Sequence, residues 1–258
     1  MVSHFNPRLQ DFARTFAAWL ADHPEVSVRT TQDVLFYFFS VLLMPLSIFA
    51  MGMALPTFIT RDLASNAIII YSSKAVSRGD YLLGKFAGAF GLLTLTWLGP
   101  ICTAWLMGNL LAPDWRFFWH ARIALAHAMV YGLTTMAFLS LLALGISAIS
   151  AKERSTVALW YTWWILARAI VPIASHTRPW LRHVSFSFNL DQVALAVFRL
   201  GDDLRIAQDN VPIFGGLINL PPDRIEALSA PAFRGAAIAL LVIAAAAAVV
   251  VHKRVKPE

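Results

Sequence analysis

Charged residues are scarce in this chain. Only 14% of its 258 residues are Asp, Glu, Lys or Arg, while 58% are hydrophobic. Soluble domains carry roughly 25% charged residues, and a water-soluble fold of this length could not bury so much apolar surface. The composition therefore excludes an ordinary soluble domain and indicates a membrane protein.

Cysteine is almost absent. Cys102 is the single cysteine, and it lies inside a long apolar run. One cysteine can form neither a disulfide framework nor a cysteine metal site within one chain. The cysteine content therefore gives no indication of the redox compartment.

Five apolar runs have about the 20 residues needed to cross a hydrocarbon core of ~30 Å. They cover residues 34–59, 82–112, 121–149, 156–175 and 235–251. Lipid offers no hydrogen-bond partner to the backbone, so each run is predicted to be a helix. The predicted fold is an all-α polytopic integral membrane protein with about five transmembrane helices, in a permease domain over residues 34–258.

Acidic residues are missing from all five runs. A proton relay of the kind that drives secondary transporters therefore lacks its usual groups. No His/Glu cluster has metal spacing, and no Ser/His/Asp set can be singled out. We assign no catalytic, cofactor-binding or metal-binding residue, and we expect neither an enzyme nor a nucleic-acid partner.

Lysine distribution predicts the orientation. All five lysines fall in or beside three short segments, namely residues 60–81, 150–155 and 252–258. Cytoplasmic loops are enriched in Lys and Arg, so these segments are predicted to be cytosolic. The chain would run from an outer N-terminus to a cytosolic C-terminus in the cell membrane.

Two longer segments are then predicted to lie outside. Residues 1–33 carry Phe12, Phe16, Trp19 and Leu20 at helical spacing, which favours a helix on the bilayer surface over a tail helix packed on nothing. Residues 176–234 contain a fairly helical stretch, Leu190–Ile206, and a Pro/Gly-rich stretch at 212–222. Neither stretch is apolar enough to cross the membrane.

Basic side chains inside the apolar runs are candidate functional groups by default. Lys85 and Arg122 lie near the ends of their runs, so their side chains can reach the interface. His127 is predicted to be a satisfied polar contact. Arg168 lies about two turns from the outer end of its run and is a candidate pathway residue for an anionic substrate, with snorkelling or pairing to an outer carboxylate as the alternatives.

The elbow between the first two runs carries the most informative motif. It reads Tyr71-Ser72-Ser73-Lys74-Ala75-Val76-Ser77-Arg78-Gly79-Asp80-Tyr81-Leu82-Leu83-Gly84-Lys85. Residues Arg61 to Leu93 resemble the stretch after the second membrane helix of type 2 ABC exporter (ABC-2-type) permeases. Ala75 replaces the usual proline of that pattern. Gly84 and Gly88 add the spacing that lets membrane helices approach closely.

The resemblance implies a permease subunit without an ATPase of its own. Such a subunit pairs with a second permease subunit, as a homo- or heterodimer, and with cytosolic ABC ATPase subunits that bind the ATP. The elbow would be an interfacial coupling helix, with polar contacts to the ATPase from Arg61, Asp62, Lys74, Arg78 and Asp80. The simpler alternative is a plain interfacial loop.

Family members normally have six membrane helices and a cytosolic N-terminus. This chain begins where their first outer loop would be, so we expect a further apolar run upstream of Met1 or a true five-helix variant. The substrate is not readable from the sequence.

Two other function classes remain open. An integral membrane enzyme acting on lipids would need convergent polar groups at the membrane surface, for which His176, His183 and Asp191 are the loose candidates. A non-transporting membrane scaffold would need no such groups. An adjacent gene for an ABC ATPase would favour the permease.

Overall fold

The computed structural model describes residues 22, 24–67, 77–112, 114–203, 205 and 221–255. Every regular element within these ranges is a helix, so the predicted all-α class is confirmed for the described part of the chain. The predicted interfacial helix around Phe12–Leu20 and the stretch at 212–220 lie outside the described residues.

Nine helices organise the described residues. They are α1 (Pro24–Ala54), α2 (Thr60–Ala64), α3 (Arg78–Leu93), α4 (Gly99–Leu111), α5 (Arg116–Ser147), α6 (Glu153–Thr177), α7 (Phe186–Phe198), α8 (Pro222–Leu228) and α9 (Phe233–Arg254). Short 3-10 turns follow α1 at Leu55–Thr57 and α6 at Pro179–Val184. A π-helical turn, Thr94–Leu98, joins α3 to α4.

Four helical segments of the described chain are long and apolar enough to cross a membrane. They are Val28–Ala64, Arg78–Leu111, Arg116–Ser147 and Asp223–Arg254. The predicted runs 34–59, 82–112, 121–149 and 235–251 fall within or almost within them. The fifth predicted run, 156–175, is covered by α6, whose crossing stays a prediction.

Helix α5 is the centre of the bundle. In its most apolar window 67% of the residues are buried, against 39%, 22% and 22% for the other three segments. Helices α1, α3, α7 and α9 pack around it. Close approach to α9 depends on Gly145, where an added Cβ would lie 2.6 Å from the Cβ of Ala247.

The outer surface of the bundle is apolar. Leu42, Leu95, Leu110 and Leu241 each expose at least 68% of their surface. Large exposed apolar side chains also lie on α3, α5 and α6, and apolar surface on this scale marks contact with lipid or protein. The described helices therefore have the surface expected of a membrane-embedded bundle.

Helix α7 departs from the sequence prediction. The predicted stretch Leu190–Ile206 begins earlier, at Phe186, because the Ser185 hydroxyl caps the first turn by accepting from the Phe188 amide at 3.3 Å. It ends at Phe198, because Arg199 adopts a left-handed conformation with φ 52°. Thirteen residues span only ~20 Å, yet α7 packs against α1, α5, α6 and α9. This part of the predicted outer segment is thus built into the bundle.

Candidate functional site

The three basic segments meet at one end of the bundle, as the lysine pattern predicts. We call this the basic end, and it comprises α2, the start of α3, the turn from α5 to α6 and the last turn of α9. Hydrogen bonds and ion pairs connect all four parts of the basic end.

A buried hydroxyl cluster joins α2 to α5 and α6. The Ser147 hydroxyl accepts from the amides of Ile59 and Thr60 at 2.9 and 3.0 Å and donates to the Leu55 carbonyl at 2.9 Å. The Thr60 hydroxyl donates to the Ser147 carbonyl at 2.8 Å and lies 3.1 Å from the Thr156 hydroxyl. Amides in the first turn of a helix have no acceptor within that helix, so the Ser147 hydroxyl supplies the acceptor for the amides at the start of α2.

Asp62 fixes α2 to the start of the second long helix. Its carboxylate lies 2.7 Å from the Lys85 ammonium and accepts from the Tyr81 hydroxyl at 2.6 Å. Lys85 also donates to the Thr57 carbonyl at 3.2 Å. The Lys85 side chain therefore reaches the end of its helix, as the sequence predicts, and forms an ion pair with Asp62 there.

Arg61 and Glu153 form a second link, at the surface. The Arg61 Nε lies 2.8 Å from Glu153 Oε1, and both side chains are about half exposed. The hydrogen bond from Arg61 holds the pKa of the Glu153 carboxyl below its usual range. Water and salt screen exposed ion pairs, which therefore add little to stability, so this pair orients the two side chains more than it stabilises the fold.

The start of α3 is capped and tied to the C-terminal helix. Ser77 and Asp80 form a capping box, in which the Ser77 hydroxyl accepts from the Asp80 amide at 3.1 Å and the Asp80 carboxylate accepts from the Ser77 amide at 3.3 Å. Arg78 donates to the carbonyl of His252 in the last turn of α9. Arg78 thereby connects the start of α3 to the end of α9.

Four of the five predicted contact residues, Arg61, Asp62, Arg78 and Asp80, therefore lie at the basic end. Within the described chain each already has an internal partner. Lys74 and the rest of the elbow at 68–76 lie outside the described residues. Sequence reasoning missed Ser147, Thr156 and Glu153, although hydroxyl and acidic residues at the junction of two apolar runs were the available signal.

A second polar cluster lies at the opposite end. The His127 Nδ1 is 3.0 Å from Asp33 Oδ1, and Asp33 is buried. His127 is thus a satisfied polar contact, as predicted. Asp33 lies one residue before the predicted run 34–59, but α1 begins at Pro24 and therefore contains this carboxylate, which is paired inside the bundle.

Arg29 and Asp203 extend this outer cluster. Arg29 donates to Asp203 Oδ1 at 3.2 Å, which joins α1 to the segment that follows α7. Burial raises the pKa of Asp203, and the nearby Asp33 raises it further, while Arg29 lowers it. Together with the His127–Asp33 contact, this pair gives both Arg29 and Asp33 of α1 a partner on another part of the bundle.

Arg168 is exposed near the outer end of α6, with its guanidinium 5.9 Å from the Trp164 ring. Its charge also acts on Asp191 of α7. Burial nevertheless raises the pKa of the Asp191 carboxyl to about 6, against the lowering effect of Arg168. Among the described residues Arg168 has no carboxylate in ion-pair range, and its three alternatives stay predictions.

Two of the three candidates for a lipid-acting enzyme, His183 and Asp191, lie in the described part. The His183 Nδ1 lies 2.8 Å from Asn189 Oδ1, a contact that ties the 3-10 turn to α7, and the charge of Arg168 acts on Asp191. The His176 side chain lies outside the described part. Among the described residues, no three His, Cys, Asp or Glu side chains are arranged to hold a metal ion.

Comparison of the chain with protein-family models, with curated proteins and with solved structures finds no match.

Proposed function

We propose that this chain is the membrane-spanning permease subunit of an ATP-driven ABC exporter. It would form half of a translocation pathway together with a second permease subunit, and a separate cytosolic ABC ATPase would bind and hydrolyse the ATP. The elbow motif at 71–85 supports this proposal through its resemblance to ABC-2-type permeases. The basic end would then face the cytosol.

One structural observation carries the mechanism. Helix α2, which opens the elbow, is bonded to α3 through Asp62, to α5 through Thr60 and to α6 through Arg61. A displacement of α2 must therefore move the ends of three long helices or break buried hydrogen bonds. An ATPase pressing on the elbow would transmit its motion by this route.

The test begins with co-expression of the chain and an ABC ATPase encoded by an adjacent gene. The proposal predicts co-purification of the two and an ATP hydrolysis rate that differs from that of the ATPase alone once the complex is in liposomes. Absence of any association, with normal membrane levels of the chain, would reject the exporter assignment.

A charge swap then tests the elbow itself. Arg61→Glu should weaken association with the ATPase, and the double variant Arg61→Glu/Glu153→Arg should not restore it, because the internal ion pair is rebuilt but the outward charge pattern stays reversed. Arg116→Glu, at the opposite end of the bundle and 84% exposed, is the matched control and should associate normally. Full rescue by the double variant would mean that Arg61 only braces the elbow.

A further inference from the structure

An apolar groove opens between α5, α6 and α9. It has a volume of about 250 Å³. The lining residues are Leu142, Gly145, Ile146, Ile149, Trp163, Val242, Ile243, Ala246, Ala247 and Val250. The polar atom of Trp163 is turned to the Val184 carbonyl at 3.4 Å, so the groove offers a ligand only apolar contacts.

The shape of the groove follows from helix packing. Helices α5 and α9 touch at Gly145 and Ala247, whereas α6 packs mainly on the 3-10 turn Pro179–Val184 and on α7. Along α9 the groove runs from Val242 to Val250, which is ~12 Å at 1.5 Å per residue. One leaflet of a bilayer contributes about half of a hydrocarbon core of ~30 Å, so the groove has about the depth of one leaflet.

Basic residues follow, in the sequence, the groove-lining segments that end at the basic end. Ile149 lies three residues before Lys152, and Val250 lies three residues before Lys253. The basic rim consists of the exposed side chains of Lys152, Arg154, Lys253 and Arg254. Within the described chain none of the four has a carboxylate in ion-pair range, since the nearby Glu153 is engaged by Arg61.

We infer that the groove and the basic rim together bind one anionic phospholipid. An acyl chain would occupy the groove, and its phosphate would accept hydrogen bonds from the rim. Basic pockets between helices on the cytosolic side recognise anionic head groups in this way, and guanidinium groups match phosphate oxygens well. The inference requires the bundle to lie in a bilayer and does not depend on an ATPase partner.

The test measures the lipid that stays bound to purified protein. Wild type is extracted from bilayers of equal phosphatidylglycerol and phosphatidylcholine, and the retained lipids are counted by native mass spectrometry. The expected result is one preferentially retained phosphatidylglycerol. Replacing all four rim residues with Gln should reduce the preference for phosphatidylglycerol at least tenfold, and raising the salt from 0.01 M to 1 M, which shortens the Debye length from ~30 to ~3 Å, should reduce it in wild type.

The groove is tested separately from its rim. Ala246→Phe fills the groove and should abolish retention of the lipid, whereas Ala248→Phe, on an exposed face of the same helix, should leave it unchanged. Equal retention in these two variants would overturn the inference, as would an unchanged lipid preference in the four-residue variant. If Ala246→Phe instead dissociates a dimer without altering lipid retention, the groove is occupied by a second copy of the chain and the inference is wrong.

Discussion

Ser147 makes more contacts at the basic end than any charged residue. Ser147 is fully buried, and its hydroxyl accepts from the amides of Ile59 and Thr60 at the start of α2 and donates to the Leu55 carbonyl in the 3-10 turn after α1. Removal of one partner from a buried hydrogen bond costs about 1–3 kcal/mol, because the remaining group can then bond neither to water nor to another protein group. The Ser147 hydroxyl therefore contributes more to the position of α2 than the surface pair Arg61–Glu153 does.

We predict that Ser147→Ala lowers the free energy of unfolding by at least about 2 kcal/mol, since two buried amides lose their acceptor. Ser140→Ala is the matched control, because Ser140 is also fully buried in α5 and its hydroxyl has no hydrogen-bond partner among the described residues. Denaturant unfolding in micelles measures both. Similar losses in the two variants would contradict the importance of the cluster.

Asp191 provides a prediction about pH. Its folded pKa is about 6, above the usual 3.8, so the folded state holds this proton more tightly than the unfolded state does. Stability should be highest below pH ~4, fall as the pH rises to ~6 and then level off, with a total loss of about 2–3 kcal/mol.

The check compares the unfolding of wild type and Asp191→Asn in micelles from pH 4 to 8. The variant should lack this component of the slope between pH 4 and 6. Parallel profiles would show that the carboxyl is better hydrated than its position on α7 indicates.

At the scale of the elements, the apolar runs were predictable and their limits were not. In lipid, a long apolar run can satisfy its own backbone hydrogen bonds only as a helix, which is why four predicted runs lie in long helices. Helix α1 nevertheless begins at Pro24, ten residues before the predicted run. Charges such as Asp33 and Arg29 indicated water, but their partners lie 94 and 174 residues away in the sequence, and a single sequence does not reveal such pairs.

The same reason explains which part of the site was found. The motif at 71–85 and the clustered lysines are local patterns, so they identified the basic end. The partners Ser147, Glu153 and the His252 carbonyl come from other helices, and only the fold brings them to the elbow.

The contact between α5 and α9 gives a prediction at this scale. Gly145→Ala would place its Cβ 2.6 Å from the Cβ of Ala247 and 2.9 Å from its Cα, so one helix must shift, at a cost of about 1–3 kcal/mol. Gly88→Ala is the control. A Cβ at Gly88 meets no described atom within 4 Å, so the change should be neutral or stabilise the helix by about 0.5–1 kcal/mol. Thermal unfolding in micelles that fails to separate the two variants would contradict the close packing at Gly145.

For the whole molecule, the basic end defines the orientation. We predict that cysteines at Ser65 and Ala151, both exposed at that end, react with an impermeant maleimide only after cells are permeabilised, because Lys- and Arg-rich segments stay in the cytosol. Cysteines at Asp114 and Ala227, exposed at the other end, should react in intact cells. The background is Cys102→Ser, since the native cysteine is itself exposed. The reverse pattern would turn the elbow away from any cytosolic ATPase.

The π-helical turn Thr94–Leu98 has a consequence for how the second long helix tolerates changes of length. A π turn holds one residue more than an α turn, and Pro100 just beyond it has no amide hydrogen with which to continue a regular ladder. Loss of one residue elsewhere in this helix would rotate everything beyond it by ~100° and turn buried Trp97 or Ile101 toward lipid. Loss of one residue from the π turn itself would convert this turn to an α turn and leave the rest of the helix in place. Natural variation in the length of this helix should therefore concentrate at residues 94–98.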